Sequence, residues 1–412
     1  MPSPVKEIAL RLESECDIVN TQSLLSIIRP NWPKEKLCFK VFNEGISNTL
    51  FAIYLDTPLT PDNTVLVRIF GYQTELYIDR DREALYMWIL NQFGFTSQVF
   101  AKFTNGICYG YIPGFTPSCE MLTKPQYFKM VAEKLAALHC LPVSEFAKKH
   151  FSGTELVPDT KPCVMHYLTK FIGLLPECFS SKLSMNCAGD GSVMADCQLN
   201  YLSKEYLEGE VKFLRKLLSN AKSPVAFCHN DLLFGNIVFS PNEDSVHFID
   251  FEYCGYNHVC YDIANHFCEY AGMSNPDYSK IPSNEMQREW VRVYLSAYQR
   301  LCTKHTTKTS ESHANKVCIN AAEVDKWLEE IRHFTLVRIP FYYPHPYSGV
   351  QVVLCETVKT YYLGWTLRAN QSACKIQDFH LPTMRIFCAI LGFPSLLGNL
   401  GHGSSLQVEN RL

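Results

Sequence analysis

Several features that mark common classes of protein are missing from this chain of 412 residues. It contains 18 cysteines but no Cys-x-x-Cys pair, so neither a zinc site nor a disulfide-stapled secreted module is indicated. Scattered single thiols are instead typical of a reducing compartment. The chain also has no Walker A sequence and no Gly-x-Gly-x-x-Gly, which excludes the P-loop route to phosphate binding.

The chain also lacks an excess of positive charge and long apolar runs. Its formal net charge is -3, which argues against a nucleic-acid partner. The apolar run at residues 386–397 is broken by Pro394 and is too short to span a bilayer. No apolar stretch follows basic residues near the N-terminus, as it does in a signal peptide. We therefore expect a cytoplasmic protein with no transmembrane segment.

The order of apolar patterns predicts an α+β fold with two lobes and an atypical tail. After a helical lead-in over residues 1–36, five β-rich runs and one helix predict a small antiparallel sheet carrying that helix. Helical patterns then dominate, apart from expected loops over 151–200 and a β-rich hairpin within 225–253. We therefore divide the chain into an N-terminal lobe (1–112), a mainly helical C-terminal lobe (113–336) and a tail (337–412).

One stretch, FCHNDLLFGNIVF, places ionisable and polar side chains among apolar ones. Asp231 and Asn236 have the Asp-x-x-x-x-Asn spacing of the catalytic loop in protein kinases. A predicted hairpin returns Asp250 beside Asn236. Asp231 could then deprotonate an attacking hydroxyl while Asn236 and Asp250 hold Mg²⁺. Glu252 lies two residues beyond Asp250, on the same face of an extended strand, and could reach a second ion.

The alternative to each of these interpretations is structural. A lone Asp-x-x-x-x-Asn is more often a turn or a cap, but the added IDFE motif at hairpin distance favours phosphotransfer. The segment NEGISN (43–48) either cradles phosphates or is a plain hairpin turn. Arg68 lies in a β-rich run, where it either pairs with Glu83 on the next helix, as kinases fix a phosphate-binding cation, or faces water.

A helix is predicted directly after the hairpin, in YDIANHFCEY. Its polar side chains are spaced i, i+3, i+4 and i+7 and therefore share one face: Asp262, Asn265, His266 and Glu269. This face is either solvated or forms a wall for the acceptor substrate. We interpret His266 and His229 as structural, because nothing nearby completes a metal set.

Four motifs together make the chain resemble a known family: FCHNDLLFGNIVF, FIDFEYCGYNHVCYDIANHFCEYAG, VLVRIFGYQTELYIDRDRE and NGICYGYIPG. Between about Trp32 and Leu336 it is similar to the choline/ethanolamine kinase family, and most similar to the ethanolamine kinases. The resemblance implies a protein-kinase-like two-lobed fold that uses ATP and Mg²⁺. It also implies transfer of the γ-phosphate to ethanolamine, the first step towards phosphatidylethanolamine from the free amine.

The resemblance also implies roles for individual residues. Asp231 matches the catalytic base, Asn236 and Asp250 match the metal ligands, and Glu252 is their accompanying acid. Arg68 matches the arginine that contacts ATP. Gly45, Ser47 and Asn48 match the phosphate loop, and Tyr253 and Glu269 match two positions of the amine pocket. Leu232 and Leu233 resemble ethanolamine kinases, since choline kinases tend to carry Cys-Gln there.

The resemblance stops after Leu336, where the family continues with a helix that carries two tryptophans and closes the amine pocket. Prolines at 340, 344 and 346 would break such a helix. The tail therefore indicates an alternative splice form or an exon read-through. Two alternatives stay open: a kinase of choline or an aminoglycoside-like compound, and a catalytically weak isoform that binds nucleotide or a partner subunit because its tail cannot close the site. A homodimer is a further expectation.

Overall fold

The structure is a computed structural model that describes residues 4–42, 48–71, 74–76, 78–174, 204–241, 244–272, 277–306 and 319–335. The expected phosphate-loop residues Gly45 and Ser47 lie outside the described residues, and so does the predicted tail. None of the described helices is both long enough and apolar enough to cross a bilayer.

A six-stranded sheet forms the N-terminal lobe. In sheet order its strands are β1 (Glu7–Ile8), β5 (Val99–Phe103), β6 (Gly106–Gly110), β4 (Thr64–Ile69), β3 (Thr49–Tyr54) and β2 (Cys38–Phe42). Neighbours are antiparallel except β1 and β5, which run parallel. The predicted antiparallel sheet is thus present, with an additional strand from the lead-in. In β4 the β-branched residues Val65, Val67 and Ile69 are buried, as one face of a pleated strand requires.

Helix α1 (Ile18–Ile28) occupies the lead-in, and helix α2 (Arg80–Gln92) lies between β4 and β5. The Asp79 side chain caps α2 by accepting from the Arg82 backbone N–H. The helix ends before Gly94, whose φ of 67° suits glycine. The Asp79 cap fixes the first turn of α2, which carries Arg80 and Glu83.

The C-terminal lobe is mainly helical. Its helices are α3 (Cys119–Leu122), α4 (Pro125–His139), α5 (Val143–Phe151), α6 (Val164–Leu174), α7 (Lys204–Leu218), α8 (Val259–Glu269), α9 (Asn284–Thr306) and α10 (Ala321–Thr335). A continuous apolar core joins them, and Trp290 and Tyr294 of α9 are fully buried in it. The expectation of loops over 151–200 was wrong for α6, and residues 175–200 lie outside the described residues.

Two short strand pairs lie within this lobe. Strands β8 (Ile237–Ser240) and β9 (Ser245–Phe248) form the predicted hairpin, with Ile237 opposite Phe248. Strands β7 (Val225–Cys228) and β10 (Gly255–His258) also pair antiparallel. Strand β10 was not predicted, because GYNH has neither the β-branched content nor the alternation of an independent strand. The two pairs bracket the segment that carries the candidate site.

Candidate active site

The polar face of α8 holds the backbone of the predicted catalytic loop through hydrogen bonds. Asp262 accepts hydrogen bonds from the backbone N–H groups of His229 (2.7 Å) and Asn230 (2.8 Å). Asn265 accepts from the Leu232 N–H at 3.0 Å, and His266 donates from Nδ1 to the Leu232 carbonyl at 3.0 Å. The backbone on either side of Asp231 is therefore fixed by one helix.

This face of α8 is not solvated, which excludes one of the two interpretations made from its spacing. Asp262, Asn265, His266 and Glu269 are each at most 5% exposed. Burial alone would raise the pKa of Asp262, but hydrogen bonds and charge from His139 and His229 outweigh it, so the pKa is lowered. Burial lowers the pKa of His266 to about 4, so its ring is neutral near pH 7.

The three residues of the phosphotransfer motif come together at the mouth of the hairpin. Asn236 donates from Nδ2 to the Asp231 carbonyl at 2.9 Å, and the same nitrogen lies 3.4 Å from Asp231 Oδ2. The Ile249 N–H donates to the Asn236 carbonyl at 3.0 Å, which brings the following Asp250 to this end. Asp231 and Asp250 are half-buried and Asn236 is buried, so the two carboxylates retain access to solvent.

Glu252 does not lie on an extended strand, as the sequence suggested. Strand β9 ends at Phe248, and Asp250 has a φ of 62°, in the left-handed region. The chain therefore turns, and Glu252 reaches the site from that turn. One oxygen each from Glu83, Asp250 and Glu252 nevertheless lies within 4.8 Å of the others. Carboxylate oxygens are the hard donors that suit Mg²⁺.

Arg68 joins the N-terminal sheet to the hairpin. Its Nη1 lies 2.7 Å from Asp250 Oδ1, and its Nη2 pairs with Glu83. The ion pair expected between strand and helix is therefore present, and Arg68 does not face water, because only 5% of it is exposed. Burial would lower its pKa, but the charges of Glu83, Tyr109 and Asp250 raise it, so the guanidinium keeps its charge.

A second buried arginine, Arg80, was missed by sequence reasoning. Its Nη1 donates to Glu83 Oε2 (2.8 Å) and Glu252 Oε2 (2.9 Å). Its Nη2 donates to Thr74 Oγ1 (2.8 Å) and Asn48 Oδ1 (3.1 Å). One signal existed in the sequence: Arg80 opens α2, where the helix dipole disfavours a cation, so a specific anionic partner was indicated.

Burial, followed by the charges of Asp250 and Glu83, raises the pKa of Glu252 to about 8, although Arg68 and Arg80 oppose the shift. Near pH 7 Glu252 is therefore mostly protonated, and the charges of Glu83 and Asp250 balance those of Arg68 and Arg80. Asp250, whose side chain is 31% exposed, is the carboxylate of this group that solvent reaches.

The two expected amine-pocket residues are both buried. The Tyr253 carbonyl accepts from Asn230 Nδ2 at 3.0 Å, which ties its backbone to the catalytic loop. The Tyr253 ring packs on Ile78 and Phe171. Glu269 ends α8, the helix that holds the same loop. Their contact with an amine stays a prediction.

The sheet with its buried arginine–glutamate pair, the helical lobe and the Asp–Asn hairpin define the class: a protein-kinase-like two-lobed fold. An ethanolamine kinase of Plasmodium vivax has the same fold, with a TM-score of 0.58 at 22% identity, over 93% of this chain and 91% of that one. The family model "Choline/ethanolamine kinase" matches residues 39–342. The chain belongs to the choline/ethanolamine kinase family.

Curated relatives agree with this assignment. The chain is 35% identical to human ethanolamine kinase 1 over 277 residues, which cover 67% of this chain and 56% of that protein. It is 33% identical to a probable ethanolamine kinase of Nematostella vectensis over 316 residues, 77% of this chain and 84% of that one. The chain thus matches little more than half the length of the human relative.

Proposed function

We propose that this protein is an ethanolamine kinase, which transfers the γ-phosphate of ATP to the hydroxyl of ethanolamine. The observation that carries the proposal is the juxtaposition of Asp231, Asn236 and Asp250 with the buried pair of Arg68 and Glu83. Arg68 Nη1 and Asp250 Oδ1, one from each lobe, are 2.7 Å apart. Relatives that bear the name ethanolamine kinase support the choice of acceptor.

Asp231 is the base of the proposed reaction. Its carboxylate accepts the hydroxyl proton of ethanolamine as the hydroxyl oxygen attacks the γ-phosphorus. The bond from the γ-phosphorus to the bridging oxygen breaks, and that oxygen leaves with ADP. Asn236 orients the base, because its Nδ2 lies against both the carbonyl and the carboxylate of Asp231.

Asn236 and Asp250 are the proposed ligands of Mg²⁺, with Glu252 as an accompanying acid. When bound, the ion offsets the charge on the phosphates. Arg68 is the proposed phosphate-contacting cation, and Glu83 fixes its direction from α2. The backbone of Gly45, Ser47 and Asn48 would then cover the phosphates.

Tyr253 and Glu269 are the proposed contacts of the ammonium group. A carboxylate pairs with its charge, and an aromatic face attracts it by a cation–π interaction. Choline, with a bulkier quaternary ammonium, is the alternative acceptor, and Leu232 and Leu233 favour ethanolamine. A cytoplasmic location and a homodimer stay predictions.

The test is phosphorylation by the purified full chain with γ-labelled ATP. Ethanolamine, choline and an aminoglycoside are offered side by side, each with Mg²⁺ and with EDTA. The proposal expects Mg²⁺-dependent phosphoethanolamine and a higher kcat/KM for ethanolamine. Equal or better use of choline would change the acceptor and leave the reaction class standing. Binding of ATP with no transfer to any alcohol would indicate the catalytically weak isoform, consistent with the atypical tail.

A further inference from the structure

Arg80 is buried, charged and without a role in the proposed reaction. It is 8% exposed, and it lies in the first turn of α2, so the cost of burying its charge must be met by specific partners. Two of these partners come from segments that are distant in sequence. Glu252 follows it by 172 positions and Asn48 precedes it by 32.

The guanidinium has two sides with different partners. Nη1 holds the acids Glu83 and Glu252, and Nη2 holds the neutral side chains of Thr74 and Asn48. Arg80 Cζ also lies over the face of the Phe70 ring, 4.3 Å from its centroid, in a cation–π contact. The two terminal nitrogens of a planar guanidinium can donate to both sets of partners at once, and the single nitrogen of a lysine cannot do so.

Asn48 is the member of this group that connects Arg80 to the proposed nucleotide site. It is the last residue of the proposed phosphate loop, and it directly precedes β3. Its Oδ1 accepts from Arg80 Nη2 and from the Gly71 N–H (3.3 Å), and its Nδ2 lies 3.5 Å from Glu252 Oε2. The end of the loop is thereby fixed to α2 and to the turn after Asp250.

We propose that Arg80 is a positioning residue that sets the affinity for Mg-ATP by holding Asn48, the last residue of the proposed phosphate loop, against Glu83 and Glu252. Arg80 acts through Asn48 and does not touch the phosphates. The proposal rests on the proposed function, because that function assigns the loop to ATP. It predicts that disturbing Arg80 affects the nucleotide and leaves the amine site unchanged.

The test compares Arg80→Lys, which keeps the charge, with Arg82→Lys, a matched control on the same helix. Arg82 is exposed and pairs only with the exposed Asp79 among the ion pairs of the described residues. Calorimetry measures the Kd of a non-hydrolysable ATP analogue with Mg²⁺, and steady-state kinetics measure both KM values. For Arg80→Lys we expect the Kd and the KM for ATP to rise about tenfold, as for loss of a hydrogen bond to a charged group. The KM for ethanolamine should stay within about twofold, and Arg82→Lys should match the parent.

A double-mutant cycle tests the route through Asn48. Asn48→Ala alone should raise the Kd of the analogue as Arg80→Lys does. The double variant should have a Kd less than about twofold above that of either single variant. Asn48 is half-buried, so this variant tests the proposal even where an Arg80 variant fails to fold. A parent-like Kd in either single variant, additive effects, or a fall in kcat with both KM values unchanged would overturn it. Analogue binding needs no acceptor, so a parent that binds the analogue but phosphorylates no ethanolamine refutes the proposed function alone.

Discussion

The side chain of Asp231 has an oxygen 3.4 Å from Asn236 Nδ2, and α8 holds the backbone beside it. Replacing it by asparagine keeps this shape and removes the proposed base. We expect Asp231→Asn to lower kcat by about 10²–10⁴, the usual contribution of a general base. Binding of a Mg-ATP analogue should change little. Asp244→Asn is the control, because Asp244 is exposed and its φ of 47° suits asparagine equally well. A kcat for Asp231→Asn within a few-fold of the parent would remove Asp231 from the mechanism.

Asp250 is the second residue with a prediction of its own. Its φ of 62° is tolerated by asparagine, so Asp250→Asn removes the charge without forcing the backbone to move. We expect turnover to be abolished at ordinary Mg²⁺ concentrations, because Asp250 would help to hold the Mg²⁺ that would offset the charge of the phosphates. Partial recovery as Mg²⁺ is raised should distinguish a metal ligand from a structural residue. Normal Mg²⁺ dependence in the variant would contradict the role.

At the scale of elements, helix α8 holds the backbone of the proposed catalytic loop. The Asp262 carboxylate accepts two backbone N–H bonds from that loop, and its Oδ2 lies 3.0 Å from His139 Nε2. In Asp262→Asn the side-chain NH₂ group would face at least one of these N–H donors, where the carboxylate now offers an acceptor oxygen. We expect the free energy of unfolding to fall by about 2–4 kcal/mol, the cost of breaking a buried charged network.

Urea denaturation measures this change, and kcat should fall with it because the loop loses its support. Asp325→Asn is the matched control: Asp325 is exposed on α10 and pairs there with Arg288. The free energy of unfolding of Asp325→Asn should stay within about 0.5 kcal/mol of that of the parent. Equal stability of the two variants would show that α8 does not hold the loop through Asp262.

At the scale of the whole molecule, buried histidine makes stability depend on pH. The pKa of His266 is lowered from 6.5 to about 4 in the fold, so the unfolded chain binds the proton more readily. The stabilising contribution is complete above pH 6.5 and is lost as the pH falls towards 4. Between pH 7 and pH 5 the loss is about 2 kcal/mol.

Chemical denaturation at pH 7 and pH 5 measures this loss. His266→Asn keeps a donor for the Leu232 carbonyl but no longer titrates, so its stability should fall by about 2 kcal/mol less than that of the parent between these pH values. The same substitution at His150, which is exposed on α5, should leave the parent's dependence unchanged. A parent-like pH dependence in His266→Asn would contradict the assignment.

Much of the fold could be predicted because its signals are local. Alternating apolar residues predicted β3 and β4, a glycine stop predicted the end of α2, and the spacing of two short apolar runs predicted the β8–β9 hairpin. Strands β1 and β10 were missed, since each is short and exists only through a partner that is far away in sequence. Helix α6 was missed because its surroundings are rich in loop-forming residues.

The same division holds for the candidate site. Spacing along the chain was enough to bring Asp231, Asn236 and Asp250 together, because a short hairpin joins them and its geometry depends only on neighbouring residues. The partners of Asp262, Arg80 and Glu252 depended on tertiary structure, since they come from segments up to 204 positions apart. Local periodicity can mark a polar face, but it cannot tell whether water or a buried donor meets it. The packing of distant segments removes the water, and only then does a charged side chain require a particular partner.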